Sequence, residues 1–359
     1  MNGLKMSMRL NCSCRSPFFF YFSSHDSKPD RNKSMKTNSS ENQRRSFLKK
    51  LSAGVAAGTL IPLSVLAERN KKSDIVRESN RSPFHVKLGI SSYSYWHFSP
   101  QRTPIRHVIE EASRLGVYGV DILHRQMESE DPDYIKALKK HALIHGVHLN
   151  CLSTHQDFVN PDPEERRKSI DDTKRFIRIA RDLGVPCIRI SAGRWNTSGS
   201  FAELMDNRGI ESPIEGYTEE DGIQWAIDSI NEIMPVAEEY GVMLGLENHW
   251  GMTRTAEGLL HIMRTIDSPW LRVLMDTGNF LDDKYEQLEA IAPYTVFVQA
   301  KTYYGGGRFY TLDLDYNRIA NILHDVGYKG YISIEFEGHA PSDEAVAESI
   351  GLLRDAFSA

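Results

Sequence analysis

Four short apolar segments in the C-terminal half of the chain constrain its fold most strongly. They read MLGLENHW, LRVLMDTGNF, TVFVQAKTYY and GYISIEFEG, and each carries one polar residue near its end: Glu247, Asp276, Gln299 and Glu335. Apolar runs of this length, bounded by turns and alternating with helical patterns, are typical of buried parallel strands. If such a sheet closes into a barrel, the carboxyl ends of its strands meet at one face. The sequence therefore predicts that the four polar side chains converge.

The alternation of side chains along a strand supports this prediction. Residues two apart in a strand share a face. Gln299 is therefore expected to share the barrel interior with Lys301, and Glu335 with Glu337. Polar groups would then cluster at one rim of an otherwise apolar interior.

The rest of the chain from about residue 86 continues the alternation of strands and helices. Further strands are predicted near 85–92, 118–123, 146–153 and 187–193, and several helical patterns between them end in Leu-Gly or a similar glycine stop. Eight such units in about 270 residues match an α/β protein built as a single-domain (β/α)8 TIM barrel. A doubly wound open sheet is the alternative, but it usually has a glycine-rich phosphate turn after its first strand, and this sequence has none there.

Two predicted loops at the rim are unusual. The stretch from Arg194 to about Tyr217 is too long for a simple connector, and we expect it to act as a lid or a substrate wall. The second loop, Tyr303 to Arg308, contains three adjacent glycines. A plain mobile loop is the favoured interpretation there over a phosphate cradle.

The N-terminal segment differs in composition from the rest. Residues 1–67 contain 11 Lys and Arg but 3 Asp and Glu, and the run QRRSFLK precedes a broken apolar stretch from Leu51 to Leu66. That stretch is too short and too interrupted to span a bilayer. It resembles a twin-arginine export signal cleaved after Val65-Leu66-Ala67, which predicts a periplasmic protein. The alternatives are a basic amphipathic helix or a retained anchor.

The predicted organisation follows from that signal. Residues 1–67 form an extension and signal that is removed, 68–84 a linker, and 85–359 the barrel. Because 34 residues before Met35 are unusual for a signal, translation starting at Met35 is the alternative to Met1. Without the basic segment the chain is more acidic than its overall net charge of −5. This argues against a nucleic-acid partner, which needs a basic surface.

Two cysteines of the barrel, Cys151 and Cys187, fall inside predicted strands. Buried small apolar residues are the favoured interpretation over a disulfide or a metal pair.

The motifs Leu-Glu-Asn-His, Met-Asp-Thr-Gly-Asn, Gln-Ala-Lys and Ile-Glu-Phe-Glu-Gly resemble those of the sugar phosphate isomerase/epimerase group of xylose isomerase-like TIM barrels. The resemblance covers roughly residues 86–357. It implies a divalent metal bound by residues of strands five to eight, which here are Glu247, Asp276, Gln299 and Glu335. It also implies that the two glutamates act as acid and base. The departure is Gln299, where the family more often has histidine.

The residue types fit that chemistry. Three carboxylates and an amide oxygen favour Mn²⁺ or Mg²⁺ over Zn²⁺ or Co²⁺. A metal held across two oxygens of a hydroxy-ketone stabilises an enediolate. Glu247 and Glu335 could then move protons on the two faces of the reacting carbon.

Additional residues are expected near a carbohydrate substrate. Glu337 competes with Glu335 for the catalytic role, but Glu335 matches the family position. His155 and His249, at the ends of strands three and five, are each about as well explained as rim residues without a role. Lys301 could either polarise a carbonyl or pair with Glu337. Tyr93 is a weaker candidate for the sugar-facing wall. The predicted substrate-binding residues are His155, His249, Lys301, His124 and Trp96.

Three functions stay open at this stage. The first is a metal-dependent isomerase or epimerase of an unphosphorylated sugar, keto-sugar or polyol. The second is a lyase or dehydratase of a 3-keto-glycoside or inosose, and the third is a non-catalytic sugar-binding barrel. Family members often form dimers or tetramers, so a homo-oligomer is compatible with the resemblance.

Overall fold

Eight parallel strands close into a barrel in the computed structural model, which describes residues 86–358. Each strand pairs with the next along the chain, and the eighth pairs with the first. The predicted TIM barrel is therefore confirmed. The strands are β1 Lys87–Ser91, β2 Gly119–Leu123, β3 His148–Ser153, β4 Cys187–Ile190, β5 Met243–Glu247, β6 Leu271–Asp276, β7 Thr295–Thr302 and β8 Tyr331–Phe336.

Helices connect the strands and cover the outside of the barrel. Short 3-10 turns follow β1 and β2 and precede β7. The helices are α1 Ile105–Arg114, α2 Pro132–Ile144, α3 Pro163–Leu183, α4 Phe201–Asp206, α5 Glu219–Tyr240, α6 Ala256–Ile266, α7 Lys284–Ile291, α8 Tyr316–Asp325 and α9 Ser342–Ser358.

The two longest helices begin and end at the signals that the sequence provides. The Asp162 side chain accepts a hydrogen bond from Glu164 N at the start of α3, and Thr218 forms a reciprocal capping pair with Asp221 at the start of α5. Each helix ends at a glycine with positive φ, a conformation that glycine adopts without a steric penalty.

The predicted strand over 187–193 is too long. β4 ends at Ile190, and the backbone beyond it bonds to loops. Ala192 O accepts a hydrogen bond from Phe158 N, and Gly193 O accepts one from Met252 N. The chain therefore leaves the sheet early to meet the loops that follow β3 and β5.

The predicted irregular loop from Arg194 to Tyr217 contains a short helix. Ser200 caps α4 by accepting a hydrogen bond from Glu203 N. The ring of Phe201 lies 5.0 Å from that of Trp250 and 4.8 Å from that of Phe309. The segment thus packs on the loops that follow β5 and β7.

The barrel interior has an apolar layer beneath its mouth. Cys151, Cys187, Leu274 and Phe297 form a buried cluster there, separate from the larger core between strands and helices. Both cysteines are free thiols. They are therefore buried small residues, as the sequence predicted.

Within residues 86–358, no helix combines the length and the apolar composition that crossing a membrane requires. The predicted export signal and linker lie outside this range.

The Ser94 side chain, which follows β1, binds the backbone at the end of β8. Register pairing between the two strands runs to Ile90 opposite Ile334. Beyond it, the buried Ser94 hydroxyl donates to Ile334 O and accepts from Phe336 N, both at 3.0 Å. These bonds hold the segment that carries Glu335.

Replacing Ser94 tests this role. Ser94→Ala leaves two buried backbone groups without a partner, so we expect a loss of about 1–3 kcal/mol in the free energy of unfolding. Urea denaturation measures it. Ser99→Ala is the control, because the Ser99 hydroxyl makes no hydrogen bond to the rest of the described chain. A Ser94→Ala stability within about 0.5 kcal/mol of the wild type would contradict this account.

Candidate active site at the barrel mouth

Buried polar side chains occupy the carboxyl ends of the strands. They are all at most 9% exposed, although carboxylates and cations are rarely buried unless paired. In the carboxyl halves of β6 to β8, Asp276 lies opposite Gln299 and Lys301 lies opposite Glu335 in the strand register. The set comprises Asp121, Ser153, Arg189, Glu247, Asp276, Gln299, Lys301, Glu335 and Glu337.

Lys301 is the cation of one half of this site. Its Nζ lies 2.9 Å from Glu337 Oε1, 3.3 Å from Glu335 Oε2 and 3.6 Å from Asp276 Oδ2. Burial alone would lower the pKa of Lys301, but the charges of Asp276 and Glu337 outweigh it and hold that pKa well above its ordinary value. Lys301 is therefore a permanent positive charge at the centre of three carboxylates.

Arg189 is the cation of the other half. Its Nη1 lies 3.3 Å from Glu247 Oε1, and its Nη2 donates to Thr154 O at 3.4 Å and lies 3.2 Å from His155 Nε2. Asn279 Nδ2 also donates to Glu247 Oε1, at 3.4 Å. Burial raises the pKa of Glu247 to about 7 despite the attraction of Arg189. Glu247 thus changes its charge near neutral pH.

The orientation of Gln299 is fixed by two residues of neighbouring strands. Its Nε2 donates to Asp121 Oδ2 at 2.8 Å and to Ser153 Oγ at 3.3 Å. Ser153 Oγ in turn donates to Asp121 Oδ1 at 2.8 Å. Because both contacts use the amide nitrogen, Gln299 Oε1 is left buried without a hydrogen-bond partner in the described part of the chain.

Asp276 is held by a side chain that extends the sheet. Asn248 Nδ2 donates to Asp276 O at 2.9 Å, and Asn248 Oδ1 accepts from Asp276 N at 2.7 Å. Asp276 Oδ1 accepts a further bond from Gly278 N at 2.7 Å. The other carboxylate oxygen, Oδ2, has no hydrogen bond and faces Lys301.

The donor atoms present fit a hard divalent cation. Within residues 86–358, three of the four predicted ligands each have one buried oxygen without a hydrogen bond: Glu247 Oε2, Asp276 Oδ2 and Gln299 Oε1. Unpaired buried acceptors are costly, and a cation would satisfy them. The carboxylates also outnumber the cations, and burial raises the pKa of Asp121 to about 6 and that of Asp276 well above its ordinary value.

Lys301 occupies part of the space between these ligands. The carboxylates of Glu247, Asp276 and Glu335 do not all lie within 4.8 Å of one another in the described chain. The ligand oxygens are thus free to bind a cation, but they do not yet lie close enough together to share one.

Two predicted substrate residues, His155 and His249, lie at this mouth. Burial, followed by the charge of Arg189, lowers the pKa of both far below the ordinary value. Both imidazoles are therefore neutral. The exposed ring of Phe98, a residue that the sequence did not indicate, lies 6.2 Å from that of His155.

The structure does not bring Trp96 and His124 into the carboxylate cluster. Both line a cavity of about 470 Å³ that is bounded by Arg102 and Arg125. The indole nitrogen of Trp96 donates to Ser99 O at 2.7 Å. His124 Nε2 lies 2.7 Å from Glu130 Oε1, which ties it to the loop after β2.

Sequence reasoning missed four members of the site: Asp121, Ser153, Arg189 and Asn279. A signal existed for two of them, since Asp121 and Arg189 are charged residues inside apolar strands. A charge in such a position needs a buried partner.

Known proteins resemble this chain in sequence and fold. The family model described as xylose isomerase-like TIM barrel matches residues 109–356. The 3-oxo-isoapionate decarboxylase of Pectobacterium atrosepticum is 23% identical over 226 residues, which cover 61% of this chain and 69% of the relative.

Two solved structures share the fold. The apo form of 3-keto-D-glucoside 4-epimerase from E. coli superposes with a TM-score of 0.59 at 16% identity, covering 76% of this chain and 100% of that one. The IOLI protein with a bound zinc atom gives a TM-score of 0.59 at 17% identity, covering 76% of this chain and 98% of that one. At these identities the likeness shows the fold alone.

The role of Asp121 can be tested by removing its charge. Asp121→Asn removes the anionic acceptor that orients the Gln299 amide, so we expect Mn²⁺ affinity to fall by about 10–100-fold. Titration with Mn²⁺, following free Mn²⁺ by electron paramagnetic resonance, measures it. The exposed Asp133→Asn is the control. Equal affinities of the Asp121→Asn variant and the wild type would refute the orienting role.

The raised pKa of Glu247 predicts a pH dependence of stability. The folded-state pKa of about 7 exceeds the ordinary value of 4.5, so this group stabilises the fold when protonated and loses that contribution as pH rises through 7. In the presence of a chelator, the stability of wild type minus that of Glu247→Gln should increase by about 2 kcal/mol from pH 7.5 to pH 5.5. Titrating groups away from the mouth are common to both proteins and cancel, so the direction of the change with pH is the readout. A difference independent of pH, measured by denaturation, would contradict the assignment.

Proposed function

The chain belongs to the xylose isomerase-like TIM barrel family, and from its site we propose a divalent-cation-dependent enzyme that transfers a carbon-bound proton of an unphosphorylated keto-sugar or a related polyol ketone. The observation that carries the proposal is the pair of buried glutamates, Glu247 and Glu335. They stand on β5 and β8, and each is held by a different cation, Arg189 or Lys301. Two separate carboxylates at one mouth can serve two faces of one carbon.

Four side chains would hold the cation: Glu247, Asp276, Gln299 and Glu335. Their oxygen atoms favour Mn²⁺ or Mg²⁺. When bound, such a cation would stabilise the negative charge that develops on the substrate oxygens during proton removal.

Glu247 has the properties of the base that removes the proton. Arg189 and Asn279 both contact Oε1, which leaves Oε2 without a hydrogen bond. Because a carboxylate has two oxygens, one oxygen of Glu247 can bind the cation while the other takes the proton from a carbon next to the substrate carbonyl.

Glu335 is placed to return a proton on the other face. Its Oε2 lies 3.3 Å from Lys301 Nζ, and that ammonium is also bound to Glu337. Lys301 can stabilise the negative charge on Glu335 after Glu335 has donated its proton. The neutral imidazoles of His155 and His249 can exchange hydrogen bonds with substrate hydroxyl groups, because a neutral imidazole has one donor and one acceptor.

Elimination is the second candidate. Removal of the same proton can be followed by departure of a group from the neighbouring carbon of a 3-keto-glycoside or inosose. The relative from Pectobacterium is a decarboxylase of a 3-oxo compound, which supports bond cleavage next to a carbonyl as an outcome in this family.

We also propose that the protein is exported. The basic QRRSFLK run near the N-terminus supports a twin-arginine route to the periplasm, where unphosphorylated sugars are the expected substrates.

Proton exchange with solvent tests the proposed function. In heavy water the Mn²⁺-loaded protein should exchange a carbon-bound proton of a free ketose, 3-keto-glycoside or inosose, observed by NMR. Exchange alone supports an isomerase or epimerase. Release of an aglycone or water identifies the lyase.

The same assay tests the two glutamates. Glu247→Gln and Glu335→Gln should each slow exchange by at least about 100-fold, because one proton-transfer group is lost. Surface Glu232→Gln is the matched control and should retain wild-type exchange. Near-full exchange in either site variant would overturn the acid/base assignment. No exchange in any protein with this panel of substrates would favour a sugar-binding barrel.

A further inference from the structure

A second group of potential metal ligands lies outside the barrel, on the paired helices α1 and α2. Glu110 belongs to α1, His141 to α2, and His145 follows directly after α2. Among residues 86–358 this is the only set of three or more carboxylate, imidazole or thiol side chains whose ligand atoms all lie within 4.8 Å of one another. We name it the α1–α2 site.

The helix geometry aligns the two imidazoles. Residues four apart on a helix are neighbours on one face. The ring centroids of His141 and His145 lie 4.4 Å apart. Two imidazoles at this spacing can bind one ion from the same side of the helix.

Glu110 supplies an oxygen from the neighbouring helix. Its Oε1 lies 2.9 Å from His141 Nε2. The contact is an ion pair when His141 is protonated, but its angles do not make a hydrogen bond, and within residues 86–358 His141 Nε2 is buried without a hydrogen-bond partner. When the imidazole is neutral, the nitrogen and the oxygen are therefore close together without satisfying one another. A cation bound to both would satisfy them.

The backbone around the α1–α2 site is fixed. Ser113 Oγ, one turn after Glu110, donates to His145 O at 2.8 Å. This bond joins α1 to the end of α2 independently of the three ligands. The ligand-bearing segments are thus held in place before an ion binds, which reduces the entropy that binding would cost.

The site lies opposite the proposed catalytic centre. α1 and α2 end shortly before β2 and β3 begin, so their C-terminal ends lie at the amino-terminal face of the barrel. Conservation of structure at that face of a TIM barrel serves stability, whereas chemistry occurs at the other face.

We propose that Glu110, His141 and His145 form a structural cation site that clamps α1 to α2. Two imidazole nitrogens and one carboxylate oxygen favour a borderline ion of the Zn²⁺ class over Mg²⁺ or Ca²⁺. The site provides three protein ligands, and water completes the coordination. This inference does not depend on the proposed function.

Zinc binding to the full chain tests the proposal. The chelator-treated protein is titrated with Zn²⁺ alone, and bound zinc is measured by equilibrium dialysis with elemental analysis. His141→Gln/His145→Gln should lose one bound zinc equivalent relative to wild type. The control His107→Ala removes an exposed histidine of α1 that is outside the site, and it should retain wild-type stoichiometry.

Two further readouts separate a binding role from a folding defect. Glu110→Gln changes only a half-exposed side chain, so it should fold normally and bind this zinc more weakly. Zinc should raise the melting temperature of wild type more than that of the double variant, because a ligand stabilises the state that binds it. If Glu110→Gln and the double variant both bind as much zinc as the wild type, the proposal is wrong.

The two proposals fail in different ways. If the α1–α2 site is wrong, its variants bind as much zinc as wild type while proton exchange is normal. If the catalytic proposal is wrong, exchange is absent while the double variant still loses its zinc equivalent.

Discussion

An excess of buried negative charge at the barrel mouth is the constraint on which this site depends. Carboxylates from β2, β5, β6 and β8 share a space from which solvent is largely excluded, and among the described residues Lys301 and Arg189 are the cations that form ion pairs with them. Charges in such surroundings need partners or shift their pKa. Both responses are present, since each cation contacts carboxylates and the pKa of Glu247 rises to about 7. The same excess makes the mouth receptive to a further cation and supplies a base at neutral pH.

Apolar packing and hydrogen bonds around the site hold these charged side chains in position. An apolar layer of small and large side chains fills the barrel below the mouth, and the polar groups pack against it. Asn248 extends the pairing of β6, and Ser94 continues the attachment of β8 where β1 has ended. Each of these side chains replaces a strand partner at the point where a ligand-bearing residue must be held. The geometry of the site is therefore set by the strand ends.

Much of the fold and part of the site could be predicted from sequence. Apolar runs and glycine stops located the eight strands, and strand parity placed Gln299 and Lys301 on the same side. The features of the site that could not be predicted depend on contacts between residues far apart in the chain. The direction of the Gln299 amide is set by Asp121, which lies 178 positions away in the chain, and no local spacing encodes it. Likewise the rim position of Phe98 depends on an approach to His155 that appears only after the barrel closes.

The central claim is that the buried oxygens at the mouth are cation ligands, and anomalous X-ray diffraction from crystals soaked in MnCl₂ tests it most directly. We expect a manganese peak at about 2.0–2.3 Å from oxygens of Glu247, Asp276, Gln299 and Glu335. We also expect that the Lys301 ammonium then withdraws from Asp276 and keeps Glu337. A saturated crystal with no manganese peak at the mouth, and with Lys301 still between Asp276 and Glu335, would contradict the account.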